Sequence, residues 1–171
     1  LLYRGEAAGV DRVWVLFTGY DGHAHLGTLD GSPVFLGRGI LVDGRRLFLR
    51  ERNAVAVVDS PSTMPAMSVA FRSSDAYLSG VEQVIASIQG QVPNAKIYLV
   101  GASNGSISAV NLATRMGNRI AGVAILGGVF SDLGEFGVGK LKQPVLVIHH
   151  KRDGCIPLNF TDGFRERFAP V

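Results

Sequence analysis

At 171 residues, with 47% hydrophobic and 18% charged side chains, the chain has the composition of one folded domain, which excludes a disordered or fibrous protein. The formal charge is +3, yet the basic residues are dispersed. The densest run, Arg45, Arg46, Arg50 and Arg52, is interrupted by Glu51 and reads as a solvated face, which argues against nucleic acid as a partner.

In chain order, the apolar run Val13 to Phe17 reads as a buried strand closed by Gly19 and Gly22. The glycine-rich stretch from Gly22 to Gly39 reads as irregular. Leu41 to Arg50 carries a short helix pattern that Asp43-Gly44 weakens. Ala54 to Val58 is a second buried strand, and Thr63 to Arg72 shows no clear period. Ala76, Tyr77, Val81, Val84, Ile85 and Ile88 fall near helical spacing behind Ser74, a cap candidate. Ile97 to Val100 is a third strand, Ser106 to Met116 a helix with a small-residue face, and Ile120 to Leu126 a fourth strand. Val145 to His149 is the fifth strand. Asn159 to Phe168 reads as a closing helix with Phe160, Phe164 and Phe168 on one face.

Apolar strands alternating with helices predict a single α/β domain over 1–171, a mostly parallel sheet covered on both faces. The 22 glycines, against about 12 at average usage, cluster at the ends of these runs as turns. Ligands of such folds bind beyond the carboxyl ends of the strands. No stretch is long and apolar enough to cross a bilayer, and no signal-peptide pattern is visible, so the compartment is undetermined. Cys155 is the single cysteine and permits no intrachain disulfide.

The strongest chemical signal is Gly101-Ala102-Ser103-Asn104-Gly105, set between a strand and a helix. Small residues on either side let strand and helix approach closely, and a strained turn aims the Ser103 hydroxyl above the sheet. Ser103 is therefore the candidate nucleophile, and the N–H of Asn104 a candidate oxyanion donor. The plain alternative is a glycine-rich turn that packs closely or binds an anion. The turn matches neither the phosphate-binding loop nor the dinucleotide fingerprint.

A second oxyanion donor belongs in the loop after the first strand, with Tyr20 N–H preferred and Gly19 the alternative. Asp153, just past the fifth strand, is the candidate acid, and Asp132 its competitor. The base is the difficulty, because no histidine follows Asp153 in the chain. His150 is the first choice among His23, His25, His149 and His150. A metal site of His149, His150 and Asp153 is disfavoured, since adjacent strand residues point to opposite faces.

The segments VLFTGYDGH, VAVVDSPST, FRSSDAY, VGASNGSISA and VLVIHHKRDGCIP, in this order, cover most of the chain. Through them the chain resembles small bacterial α/β-hydrolases of the dienelactone-hydrolase-like group. The resemblance implies an α/β-hydrolase-like three-layer sandwich, with Ser103 as nucleophile, Asp153 as acid, and Gly19 and Tyr20 in the oxyanion loop. Such relatives usually continue with another strand and a catalytic histidine, and often a second cysteine that would partner Cys155. This sequence stops at Val171, before the positions of both, so a truncated chain and a protein naturally lacking that histidine are both expectations.

Together these features predict a serine hydrolase, carboxylesterase-like, that cleaves a small ester or acyl compound through an acyl-enzyme without a cofactor. The alternative is a non-catalytic hydrolase-like protein that binds a small molecule or a protein, and an anion-binding protein ranks third. An uncovered fifth strand would leave a sheet edge, so a homodimer formed across it is a further expectation.

Overall fold

The computed structural model describes residues 2–4, 9–50, 52–129 and 140–156. Five strands form a parallel core: β2 (Arg12–Phe17), β5 (Asn53–Val58), β6 (Lys96–Ala102), β7 (Gly122–Leu126) and β8 (Val145–Ile148). A sixth, β1 (Leu2–Arg4), joins antiparallel at the β5 edge, giving the order β1-β5-β2-β6-β7-β8. The parallel strands are those read from continuous apolar runs. Such runs arise because both faces of a parallel sheet are covered, leaving few positions for polar residues.

Two helical layers do the covering. On one face, α3 (Asp75–Gln91) and α4 (Gly105–Met116) pack on Val13, Val15, Phe17, Ile97 and Leu99. On the other, α1 (Ile40–Asp43) and the 3-10 turn at Gly44–Phe48 lie over Leu16, Val55, Val57 and Val100. Helix α3 begins where expected: the Ser74 side chain accepts from the N–H of Tyr77 at 3.3 Å. Its buried stripe is Tyr77, Leu78, Val81, Ile85 and Ile88, whereas Ala76 and Val84, expected on that stripe, are exposed. Leu78 takes the inward position because it sits one turn before Val81 and two turns before Ile85.

One further expectation is corrected, and a stretch without period gains a short element. The stretch from Gly22 to Gly39 contains an antiparallel hairpin, β3 (Leu26–Leu29) with β4 (Ser32–Phe35). Asp30 (φ 50°) and Gly31 (φ 76°) both adopt the left-handed region that a two-residue hairpin turn demands. The aperiodic stretch before Arg72 ends in a single helical turn, α2 (Val69–Arg72), capped by the Ser68 hydroxyl accepting from Phe71 N–H at 3.1 Å. The expected helix at Asn159 to Phe168 lies outside the described residues, as does Asp132. Among the described residues no helix is long and apolar enough to cross a membrane.

Candidate active site

Strand β6 runs directly into Ser103, whose φ of 49° lies in the left-handed region that a non-glycine residue enters only at a cost of about 1–3 kcal/mol. The strain is held by the surroundings. Ser103 N–H donates to Leu126 O at 2.9 Å, and Ser106 N–H returns to Ser103 O at 2.9 Å as α4 starts. A β-carbon on Gly101 would stand 2.5 Å from Gly105 O and from Ser106 Cα. One on Gly105 would collide with the carbonyl oxygens of Phe17 and Thr18. Both glycines are therefore required by close approach, because strand, helix and neighbouring loop meet there with no room for a side chain.

The loop after β2 lies against this turn. A β-carbon on Gly19 would come 2.8 Å from Ala102 O and 2.9 Å from Ser103 Cβ. Tyr20 follows with φ 49° and a side chain directed to solvent, 85% exposed. Gly22 N–H donates to Gly19 O at 2.9 Å, and the Asn104 amide Nδ2 donates to Tyr20 O at 3.3 Å. Among the described residues no acceptor engages the N–H groups of Gly19, Tyr20 or Asn104. The structure thus brings Ser103, Asn104, Gly19 and Tyr20 together.

Beneath the loop lies a residue that sequence reading did not single out. Arg72 is fully buried, with 0% exposure. Its guanidinium donates through Nη1 to Thr18 O (3.4 Å) and Ser108 Oγ (3.3 Å), and through Nη2 to Tyr20 O (3.2 Å). Burial pushes its pKa down, while Tyr77 and Asp21 act in the opposite direction.

At the end of β8, the chain turns so that Asp153 N–H donates to His150 O at 3.0 Å. The Asp153 carboxylate accepts from the N–H groups of Cys155 (2.8 Å) and Ile156 (2.9 Å). These two bonds, Ile156 foremost, hold its carboxyl below the usual carboxylate range, and His149 and His150 add to the effect. Its second oxygen approaches Gly127 at the end of β7, within 4.0 Å of where a β-carbon would stand.

The two histidines of this turn separate as strand alternation requires. His149 continues the inward row of Val145 and Val147: its side chain is 2% exposed, 2.8 Å from Ile156 O and 3.8 Å from the Asp153 carboxylate. His150, the first choice as base, is exposed, and its Nδ1 accepts from Arg152 N–H at 3.2 Å. So His149, and not His150, faces Asp153. Among the described residues no imidazole is hydrogen-bonded to Ser103. Cys155 is exposed at the same turn.

His23 and His25 stack at 4.9 Å between ring centroids and border a cleft of about 190 Å³ with Gly19, Tyr20, Arg38 and Ile40. His23 is anchored through Nδ1 to the Ser60 hydroxyl and through Nε2 to Pro65 O at 3.1 Å. Among the described residues no group of three His, Cys, Asp or Glu side chains is placed to hold a metal ion.

No protein-family model matches the chain, and no curated protein does. Solved structures do. Est1E from Butyrivibrio proteoclasticus superposes with a TM-score of 0.70 at 14% identity, over 98% of this chain and 79% of that one. An alpha-beta serine hydrolase homologue from Coxiella burnetii gives 0.67 at 10% identity, over 99% and 76%. A Xanthomonas campestris α/β serine hydrolase without a lid gives 0.64 at 13% identity, over 98% and 72%. The chain has the α/β-hydrolase fold.

Within that fold, Arg72 and the His23–Ser60 contact are what sequence reading missed. Arg72 is 54 residues from Thr18 and stands at the end of a segment without periodicity. An arginine there reads as a surface charge. The one available cue was the density of hydrogen-bonding residues around it in Phe71-Arg72-Ser73-Ser74.

Proposed function

We propose that the protein is a serine hydrolase, carboxylesterase-like, that cleaves a small ester or related acyl compound through an acyl-enzyme. The observation that carries the reading is Ser103 in a left-handed conformation at a strand-to-helix turn, with the Gly19 backbone pressed against it. In the first step Ser103 Oγ bonds to the substrate carbonyl carbon while a base takes the hydroxyl proton. The carbonyl oxygen becomes an oxyanion facing the N–H groups of Asn104, Tyr20 and Gly19. Expulsion of the alcohol, which receives that proton, leaves an acyl-serine, and water then releases the acid.

Asp153 is proposed as the acid that orients the base, supported by its ionised state and its place at the strand ends. His150 is proposed as the base, being exposed at that turn while His149 is spent on Ile156 O. The Arg152 N–H bond to His150 Nδ1 leaves the proton of the neutral ring on Nε2. To serve as base the ring must leave that bond and pass its proton to Nδ1, where it faces Asp153, so that Nε2 is free to accept the Ser103 proton. The cleft beside Gly19 and Tyr20 is proposed to receive the small substrate. Its volume exceeds the roughly 150 Å³ of a cavity that holds benzene. No cofactor enters these steps.

Labelling by a fluorophosphonate probe tests the reading. Adduct on the intact protein that disappears in Ser103→Ala supports it, and an unlabelled folded protein rejects it. Loss of labelling in His150→Ala but not His149→Ala assigns the base to His150, and the reverse pattern removes that assignment. The second reading, a non-catalytic binding protein, is favoured by the lack of an imidazole bonded to Ser103 among the described residues. It predicts small-molecule binding without adduct. A homodimer across β8 is proposed on the exposed Leu146 and Ile148 of that outermost described strand. Light scattering that finds only monomer at high concentration rejects it.

A further inference from the structure

A buried guanidinium is costly unless good hydrogen bonds offset its desolvation. At Arg72 the compensation is unusual in kind. Its terminal nitrogens reach two main-chain carbonyls of one short loop, Thr18 and Tyr20, and one hydroxyl of α4, Ser108. Its Nε has no hydrogen-bond partner among the described residues. The fork therefore gives up one donor to serve the loop. With Gly22 N–H on the carbonyl of Gly19, three successive peptide planes, those of Thr18, Gly19 and Tyr20, are clamped at their oxygens. Gly22 is compatible with this only as glycine, because a β-carbon there would collide with Met67 and stand 2.9 Å from Arg72 Nη2.

Fixing the oxygens fixes the opposite ends of the same planes. The Thr18 carbonyl shares its plane with Gly19 N–H, and the Gly19 carbonyl with Tyr20 N–H. A charged donor on a carbonyl also polarises the N–H across the peptide bond, since linked hydrogen bonds strengthen one another. The guanidinium keeps its charge at every working pH. We infer that Arg72 is a positioning residue for the oxyanion loop: through the Thr18 carbonyl it aims and strengthens the Gly19 N–H beside Ser103, and through the Tyr20 carbonyl it braces the loop whose Tyr20 N–H is set by the Gly22–Gly19 bond. This rests on the serine-hydrolase reading above. Arg72 touches neither substrate nor nucleophile, and acts through Thr18 and Tyr20.

Wild type, Ser103→Ala, Arg72→Lys, Arg72→Met and Arg72→Ala distinguish the two inferences, using fluorophosphonate labelling and steady-state hydrolysis of p-nitrophenyl acetate. Lysine keeps the charge but cannot span both carbonyls. Loss of a single oxyanion donor lowers kcat by about 10²–10³-fold. Misalignment of the Gly19 donor is expected to lower kcat of Arg72→Lys at least about tenfold, with KM within about threefold. Added guanidinium ion should restore part of the kcat of Arg72→Ala. If the Met and Ala variants fail to fold, Arg72→Lys carries the test, its folding checked by thermal unfolding. Wild-type kcat in folded Arg72→Lys overturns the role of Arg72 while leaving the hydrolase reading intact. So does a loss expressed in KM alone. A wild type without adduct at Ser103 overturns both, and is seen before any Arg72 variant is compared.

Discussion

The backbone of Gly19 lies so close to Ser103 that a β-carbon on residue 19 would stand 2.9 Å from Ser103 Cβ. That distance is shorter than two carbon atoms tolerate, and the second neighbour, Ala102 O at 2.8 Å, belongs to rigid strand backbone. Gly19→Ala must therefore displace the loop. The expected result is a folded protein destabilised by about 1–3 kcal/mol, with fluorophosphonate labelling of Ser103 slowed well beyond the loss of stability. Urea unfolding and labelling rate, taken together, check it. Labelling at the wild-type rate would show that the loop does not serve the serine.

Gly105 sits where three backbones converge, and its missing side chain faces the carbonyl oxygens of Phe17 and Thr18. The Phe17 oxygen belongs to a central strand and the Thr18 oxygen is held by Arg72, so neither can rotate away as a side chain does. Gly105→Ala is accordingly expected to be more damaging than Gly19→Ala, with a stability loss above about 3 kcal/mol. Thermal unfolding of the two variants side by side gives the order, and an equal or smaller shift for Gly105→Ala would contradict the packing argument.

The cap of α3 offers a control remote from the site. Ser74 satisfies the N–H of Tyr77, the first residue of the buried stripe. Ser74→Ala should cost about 1 kcal/mol of stability and leave labelling of Ser103 unchanged. Ser74→Asp, which keeps an acceptor, should lose much less. Chemical denaturation of both variants decides whether the cap bond contributes.

The Asp153 turn carries a pH dependence whose sign follows from its environment. Its folded-state pKa lies below the ordinary 3.8 because Ile156 and Cys155 N–H groups bond the carboxylate. The stabilisation is then fully present above the ordinary value and is lost as pH falls through the lower folded value. Asp153→Asn removes the charge that these N–H groups favour. Its melting temperature should lie below wild type at pH 7, with the gap narrowing as the pH approaches 3. A gap that stays constant over that range would mean that the turn does not depend on the ionised carboxylate.

The sequence by itself determined the parallel core and the turn at Ser103. Val13 to Phe17, Ala54 to Val58 and Ile120 to Leu126 are legible because strands buried on both faces have no polar positions to interrupt them. The glycines at 101 and 105 are legible because close approach of strand and helix leaves a fixed spacing of small residues. The β3–β4 hairpin was not read: Leu26 and Leu29 are exposed, so no alternation marks the strands, and only Asp30-Gly31 signals the turn. Tertiary structure alone decided which of His149 and His150 faces Asp153. Both faces of β8 carry apolar residues, and only packing on β7 and the helices sets which row points inward. It alone placed Arg72 beneath the Thr18–Tyr20 loop, because a charge is buried by long-range contacts that no local pattern encodes. Arg72 lies 52 and 54 positions from the Tyr20 and Thr18 carbonyls that it bonds, and they are joined only when the sheet and α2 come together.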